Sequence, residues 1–137
     1  MNTILMKTRA GLLFVAGALL LLVGSFILAA PAAFYATNGI DPAGNVNLLN
    51  ELKAPAGLLF TAGLLMIGAI FRRELANTAT ALAALIYLSY TVTRGISMTV
   101  DGMPAAGLVQ AMALEGVLGL ACLAVIVVDK MTRGRTA

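Results

Sequence analysis

Hydrophobic positions in this chain fill four long blocks, residues 10–30, 54–71, 75–100 and 107–128, divided by short clusters of charge, glycine and proline. A helix rises about 1.5 Å per residue, so roughly 20 residues cross about 30 Å of hydrocarbon. Each block approaches or exceeds that length. The pattern predicts four membrane-spanning helices, over residues 10–30, 54–71, 76–100 and 106–128. They take up most of a 137-residue chain, leaving no room for a separate soluble domain. The expected fold class is therefore all-α: a single integral-membrane four-helix bundle over residues 1–137, with backbone polar groups satisfied inside each helix.

The third and fourth blocks carry polar residues in a pattern. In the third, Tyr87, Tyr90, Arg94, Ser97 and Asp101 recur at three- and four-residue spacing and share one face. Arg94 falls within about 10 Å of the outer end of its span, where a long side chain either snorkels to the interface or turns inward to a carboxylate. In the fourth, Glu115 stands at the centre of an otherwise uncharged stretch, 102–128. A central acidic residue costs roughly 2.5–3.5 kcal/mol on insertion, so it calls for a partner. Gly107, Ala111 and Gly119 share its i, i+4 line and either admit a close helix or leave space around the carboxylate. The depths of Arg94 and Glu115 match, and a hydrogen-bonded pair with Tyr87 or Tyr90 in reach is expected. Such a pair can simply fix helix register, since desolvation offsets much of its attraction. It can also form part of a ligand site.

Between the first two blocks, residues 31–53 form the one long connection. Asp41-Pro42-Ala43-Gly44 reads as a turn. Leu48, Leu49 and Leu52 then recur at helical spacing, predicting a short amphipathic helix that continues or kinks into the second span at Pro55. Arg72-Arg73-Glu74 reads as a tight turn, and Pro104 as the start of the last helix. The segment 10–17 repeats at 56–63 with seven of eight residues identical. Two copies running in opposite directions resemble an inverted repeat, but a true repeat should cover a pair of helices. The likeness otherwise reflects a small alphabet of Ala, Gly and Leu that allows close helix approach.

Charge adds an orientation. Lys7, Arg9, Arg72, Arg73, Lys130, Arg133 and Arg135, seven of nine basic residues, fall on one side of the predicted bundle. The positive-inside rule makes that side cytoplasmic, with both termini on it. The net charge of +3 then follows from topology, and the scattered basic residues carry no nucleic-acid motif. The apolar stretch from Ala10 exceeds the 7–15-residue core of a signal peptide, so a retained span is expected. Away from the basic side, Glu51, Lys53, Arg94, Asp101 and Glu115 all belong to the outer half, which predicts one polar outer pocket. A single cysteine and no histidine exclude an intramolecular disulfide, a His-ligated haem and the common zinc sites. Cys122, in apolar surroundings, is expected to be an inert packing residue.

Asn50-Glu51-Leu52-Lys53-Ala54-Pro55-Ala56-Gly57, followed by Tyr87, Arg94, Asp101-Gly102 and Glu115, resembles the domain of unknown function 4345 family of small bacterial four-helix membrane proteins. The resemblance covers nearly the whole chain. It implies an Asn-Glu-x-Arg/Lys-Ala segment, an Arg in the third helix, an Asp-Gly turn and a Glu in the fourth, and all four are here. More distantly the family is similar to DoxX-like proteins, some linked to quinone-dependent oxidoreduction. The lack of redox cysteines argues against that electron-transfer role for this chain.

The expected function is a non-enzymatic module of the bacterial inner membrane, or an accessory subunit of a membrane complex. Its ligand would be a lipid or quinone-like amphiphile bound by Glu51, Lys53, Tyr87, Tyr90, Arg94, Ser97, Asp101 and Glu115. No catalytic residue, metal or dedicated cofactor is expected. Partners would be membrane lipids, other membrane-protein subunits or a second copy of the chain. The competing class is a dimeric proton-coupled small-molecule exporter working through Glu115.

Overall fold

The first apolar block winds into α1 (Thr3–Ala29), which stops where Ala30 leaves helical geometry (φ −143°, ψ 62°) ahead of Pro31. A residue before proline is pushed out of the α region by the proline ring. Pro31 then opens the short α2 (Pro31–Ala36), as its fixed φ and missing N–H suit a helix start. The 31–53 connection, expected to hold one short amphipathic helix, thus contains an earlier one as well. Asp41–Gly44 turns as predicted: the Ala43 N–H donates to Asp41 Oδ1 at 2.9 Å, and Gly44 takes a positive φ of 77°. Asn45 caps α3 (Val46–Phe71) by accepting the Leu48 N–H at 3.0 Å. The amphipathic segment and the second span are one helix running through Pro55, which leaves the Glu51 carbonyl without its helical donor.

A single extended residue, Arg72 (φ −126°, ψ 95°), separates α3 from α4 (Arg73–Val100). Gly102, at φ 101°, turns the chain toward α5 (Ala106–Gly134). Pro104 does not start that helix. The first helical carbonyl is that of Ala105, which accepts the Leu108 N–H at 2.9 Å. The computed structural model describes residues 3–134, so Arg135 of the basic side lies outside the described residues.

Among the described residues, four of the five helices are long and apolar enough to cross a membrane. α1 and α4 run one way, α3 and α5 the other. One end of the bundle, the basic end, holds the start of α1, the Arg72 turn and the end of α5; the other, the loop end, holds α2 and the connections 37–45 and 101–105.

The closest packing is between α1 and α3, and it explains the repeated segment. Leu13, Ala16 and Gly17 of one copy and Leu59, Ala62 and Gly63 of the other are buried at equivalent positions. A Cβ added at Gly63 would lie 2.8 Å from the Gly17 carbonyl oxygen, and one at Gly24 would lie 2.8 Å from the Phe60 nitrogen. Backbone therefore touches backbone along this seam, which only glycine permits. The first glycines of the two copies, Gly11 and Gly57, face open space.

α4 closes the core with Ala79, Thr80, Ala83, Ala84 and Tyr87, and α5 with Leu118, Gly119, Cys122 and Val125. The Thr80 hydroxyl satisfies itself by donating to the Ala76 carbonyl at 2.6 Å. The Tyr87 hydroxyl donates to the Ala16 carbonyl at 2.7 Å, fastening α4 to α1. Gly119 receives the Leu88 side chain, so α4 and α5 pack closely below Glu115. Phe14, Leu22, Leu58, Leu85, Val92 and Leu120 point outward and are exposed.

Candidate ligand site at the loop end

Arg94 sits on α4 seven residues, two turns, beyond Tyr87, which carries it out of the core toward the loop end while keeping it on the face that meets α5. Glu115 lies nine residues into α5. The two helices are antiparallel, and the side chains meet: Arg94 Nε donates to Glu115 Oε2 at 3.0 Å and Arg94 Nη2 to Oε1 at 3.3 Å. This two-point arrangement matches the planar guanidinium to the carboxylate. It is not sealed. The Arg94 side chain is 29% exposed and that of Glu115 16%, and Arg94 Nη1 makes no hydrogen bond among the described residues.

Two tyrosines complete the site. The Arg94 guanidinium carbon stands 5.8 Å from the centre of the Tyr90 ring, within cation–π range. Tyr35, on α2, is the residue that sequence reasoning missed. Phe34 packs edge-on against Phe26 of α1 at 5.5 Å and against Tyr35 at 5.2 Å, which ties α2 to the end of α1. Tyr35 is thereby held at the loop end, within electrostatic reach of Tyr90 and Arg94: burial and Tyr90 raise its hydroxyl pKa above the ordinary value, while the Arg94 charge acts in the opposite direction.

The remaining sequence-predicted residues are placed elsewhere. Tyr87 is 4% exposed in the core with its hydroxyl committed to Ala16, because its position continues the Thr80, Ala83, Ala84 face. The Ser97 hydroxyl donates to Asp101 Oδ2 at 2.8 Å in an exposed pair that finishes α4. Glu51 and Lys53 are exposed on the first turns of α3, and neither forms an ion pair or side-chain hydrogen bond with Arg94 or Glu115. Of the eight predicted residues, the structure brings together Tyr90, Arg94 and Glu115, with Tyr35 of α2 within electrostatic reach.

The most buried ion pair lies at the basic end. Arg9 Nη2 donates to Asp129 Oδ2 at 3.0 Å, with side chains only 4% and 8% exposed. Arg9 Nη1 also donates to Asn77 Oδ1 at 2.6 Å, and Arg133 Nε to Asp129 Oδ1 at 3.1 Å. Sequence reasoning treated Arg9 as a topological charge ahead of the first span. It lies inside α1, which starts six residues earlier, on the same face as Leu13 and Ala16. The available signal was Asp129, an acid amid the basic residues that close α5.

No curated protein and no solved structure matches this chain. A family model described as a domain of unknown function (DUF4345) matches residues 9–126, from the buried Arg9 through the Arg94–Glu115 pair to the last core turns of α5, and the chain belongs to that family.

Proposed function

We propose that this protein is a non-enzymatic amphiphile-binding bundle of a bacterial cytoplasmic membrane, acting alone or as an accessory subunit of a larger membrane complex. Its loop-end site takes the headgroup of a quinone or lipid. The observation that carries this reading is the open state of the Arg94–Glu115 pair. Two guanidinium donors hold Glu115 while Nη1 remains available, and the side chain is 29% exposed. A carbonyl or anionic oxygen is the natural acceptor for that donor, Glu115 keeps the site near neutral, and the Tyr35 and Tyr90 hydroxyls would orient the headgroup.

The membrane reading is supported by the exposed apolar faces of the four long helices, which suit a hydrocarbon solvent. The basic residues gathered at one end support a cytoplasmic placement of that end and of both termini. In a Cys122→Ser background, Asn45→Cys is expected to label from outside the cell and Gly134→Cys only after permeabilisation. Labelling of both from one side would contradict the topology.

For the ligand, protein purified in mild detergent should be extracted with organic solvent and analysed by mass spectrometry. A quinone or lipid species present in the wild type and lost from the Arg94→Leu, Glu115→Leu double variant is the expected result. The same species recovered in equal amount from both would overturn the site assignment.

A further inference from the structure

At the basic end, a cleft of about 490 Å³ is walled by Arg9, Asn77, Asp129, Lys130 and Arg133. An apolar groove of about 550 Å³ runs between α4 and α5, past Leu85, Leu88, Val92 and Leu123. Ala81 and Ile126 line both, so the cleft and the groove adjoin. Among the described residues, three cations and one carboxylate border the cleft. Arg9, 4% exposed, also keeps a buried Nε–H with no acceptor among the described residues. From Ala81 to Val92 the groove follows α4 for eleven residues, about 16 Å at 1.5 Å per residue, roughly half of the 30 Å hydrocarbon core.

We propose that cleft and groove together hold one phospholipid with an anionic headgroup, its phosphate among Arg9, Lys130 and Arg133 and an acyl chain along α4 and α5. Each half of the site selects for one half of such a molecule. The cations at the cleft favour an anionic head over a zwitterionic or cationic one, as basic pockets between membrane helices do. The groove has the reach of one leaflet and offers a free anion nothing. Asp129 holds Arg9 and Arg133 at the cleft, as it accepts a hydrogen bond from each. This site shares the membrane reading with the loop-end site, but none of its residues.

Native mass spectrometry of the purified protein tests the assignment, using phosphatidylglycerol, phosphatidylcholine and inorganic phosphate as probes. The wild type should retain phosphatidylglycerol over phosphatidylcholine. Exposed Lys130, changed to Gln, should weaken phosphatidylglycerol about fivefold, the effect of one cation near an anionic lipid head, with phosphatidylcholine unchanged. Ala81→Trp, at the junction, should lower retention of phosphatidylglycerol by blocking the groove, and millimolar phosphate should fail to displace it. Equal retention of the two lipids, an unaffected Lys130→Gln variant, or displacement by phosphate would each overturn the proposal. The Arg94→Leu, Glu115→Leu variant separates the two sites: it should leave the phosphatidylglycerol preference intact, and loss of that preference would place the lipid at the loop end instead.

Discussion

Each end of the bundle holds an arginine–carboxylate pair, and the two differ in how the surrounding helices close over them. Arg9–Asp129 joins α1 to α5 and, through Asn77, to α4; its side chains are 4% and 8% exposed. Arg94–Glu115 joins only α4 to α5, with 29% and 16% exposure. A sealed pair cannot exchange partners without stranding a charge in a poor solvent, so it acts as a joint. A pair that water reaches can yield a donor or acceptor to an incoming group at small cost. Similar chemistry thus forms a brace at one end and, on the function proposed above, a ligand site at the other. At the basic end the proposed lipid phosphate would meet Lys130, Arg133 and the Nε–H of Arg9, unpartnered among the described residues, leaving the Arg9–Asp129 bond in place.

The contrast is tested most severely by Asp129→Leu. Arg9 would remain buried with Asn77 as its only named partner, and a loss of about 3–5 kcal/mol is expected from thermal unfolding in detergent. A loss below about 1 kcal/mol, typical of a surface pair, would erase the distinction between the ends.

Next in size is the frame on which both ends hang. Gly24→Ala and Gly63→Ala each place a Cβ within 3.0 Å of backbone across the α1–α3 seam. Each should cost about 1–3 kcal/mol, as overpacking does. Gly11→Ala and Gly57→Ala, the open positions of the same repeat, should be neutral or slightly stabilising, since alanine is the better helix former. Equal effects at all four would mean that the seam does not set the frame.

The smallest loss is expected at the loop end. Glu115→Gln should cost about 1–2 kcal/mol, between the values for exposed and buried pairs. Arg94→Leu combined with Glu115→Leu should recover most of it. The double-mutant cycle reads this coupling, and additive losses would show that the two side chains do not act as a pair.

What could be read from the chain depended on whether a residue's role was local. The four long helices follow from runs of apolar residues, and Arg94–Glu115 from matching depth and spacing, because both are properties of single helices and short connections. Tyr87 was grouped with the polar stripe by its hydroxyl, yet its position, seven residues after Thr80, puts it on the core face. Which property prevails depends on a carbonyl of α1 that spacing within α4 cannot show. Arg9 was absorbed into the orientation rule, since a cation at the start of an apolar run looks the same whether solvated or buried against a residue 120 positions away. Tyr35 lay in a stretch read as loop, and the Phe26–Phe34–Tyr35 ring contacts that fix it at the loop end are not visible in spacing. The repeat at 10–17 and 56–63 was visible, but its meaning, a shared face in a backbone-to-backbone seam, required the partner helix.

Quinone quenching of tyrosine fluorescence tests the central claim most directly. The chain has no tryptophan and three tyrosines, two of them, Tyr35 and Tyr90, at the loop-end site and the third, Tyr87, in the core. Titration of the detergent-purified protein with a short-chain benzoquinone should quench the wild-type emission saturably. The Arg94→Leu, Glu115→Leu variant, confirmed as folded by circular dichroism, should show only the linear background. Saturable quenching of equal amplitude and midpoint in both proteins would contradict a headgroup site built on Arg94 and Glu115.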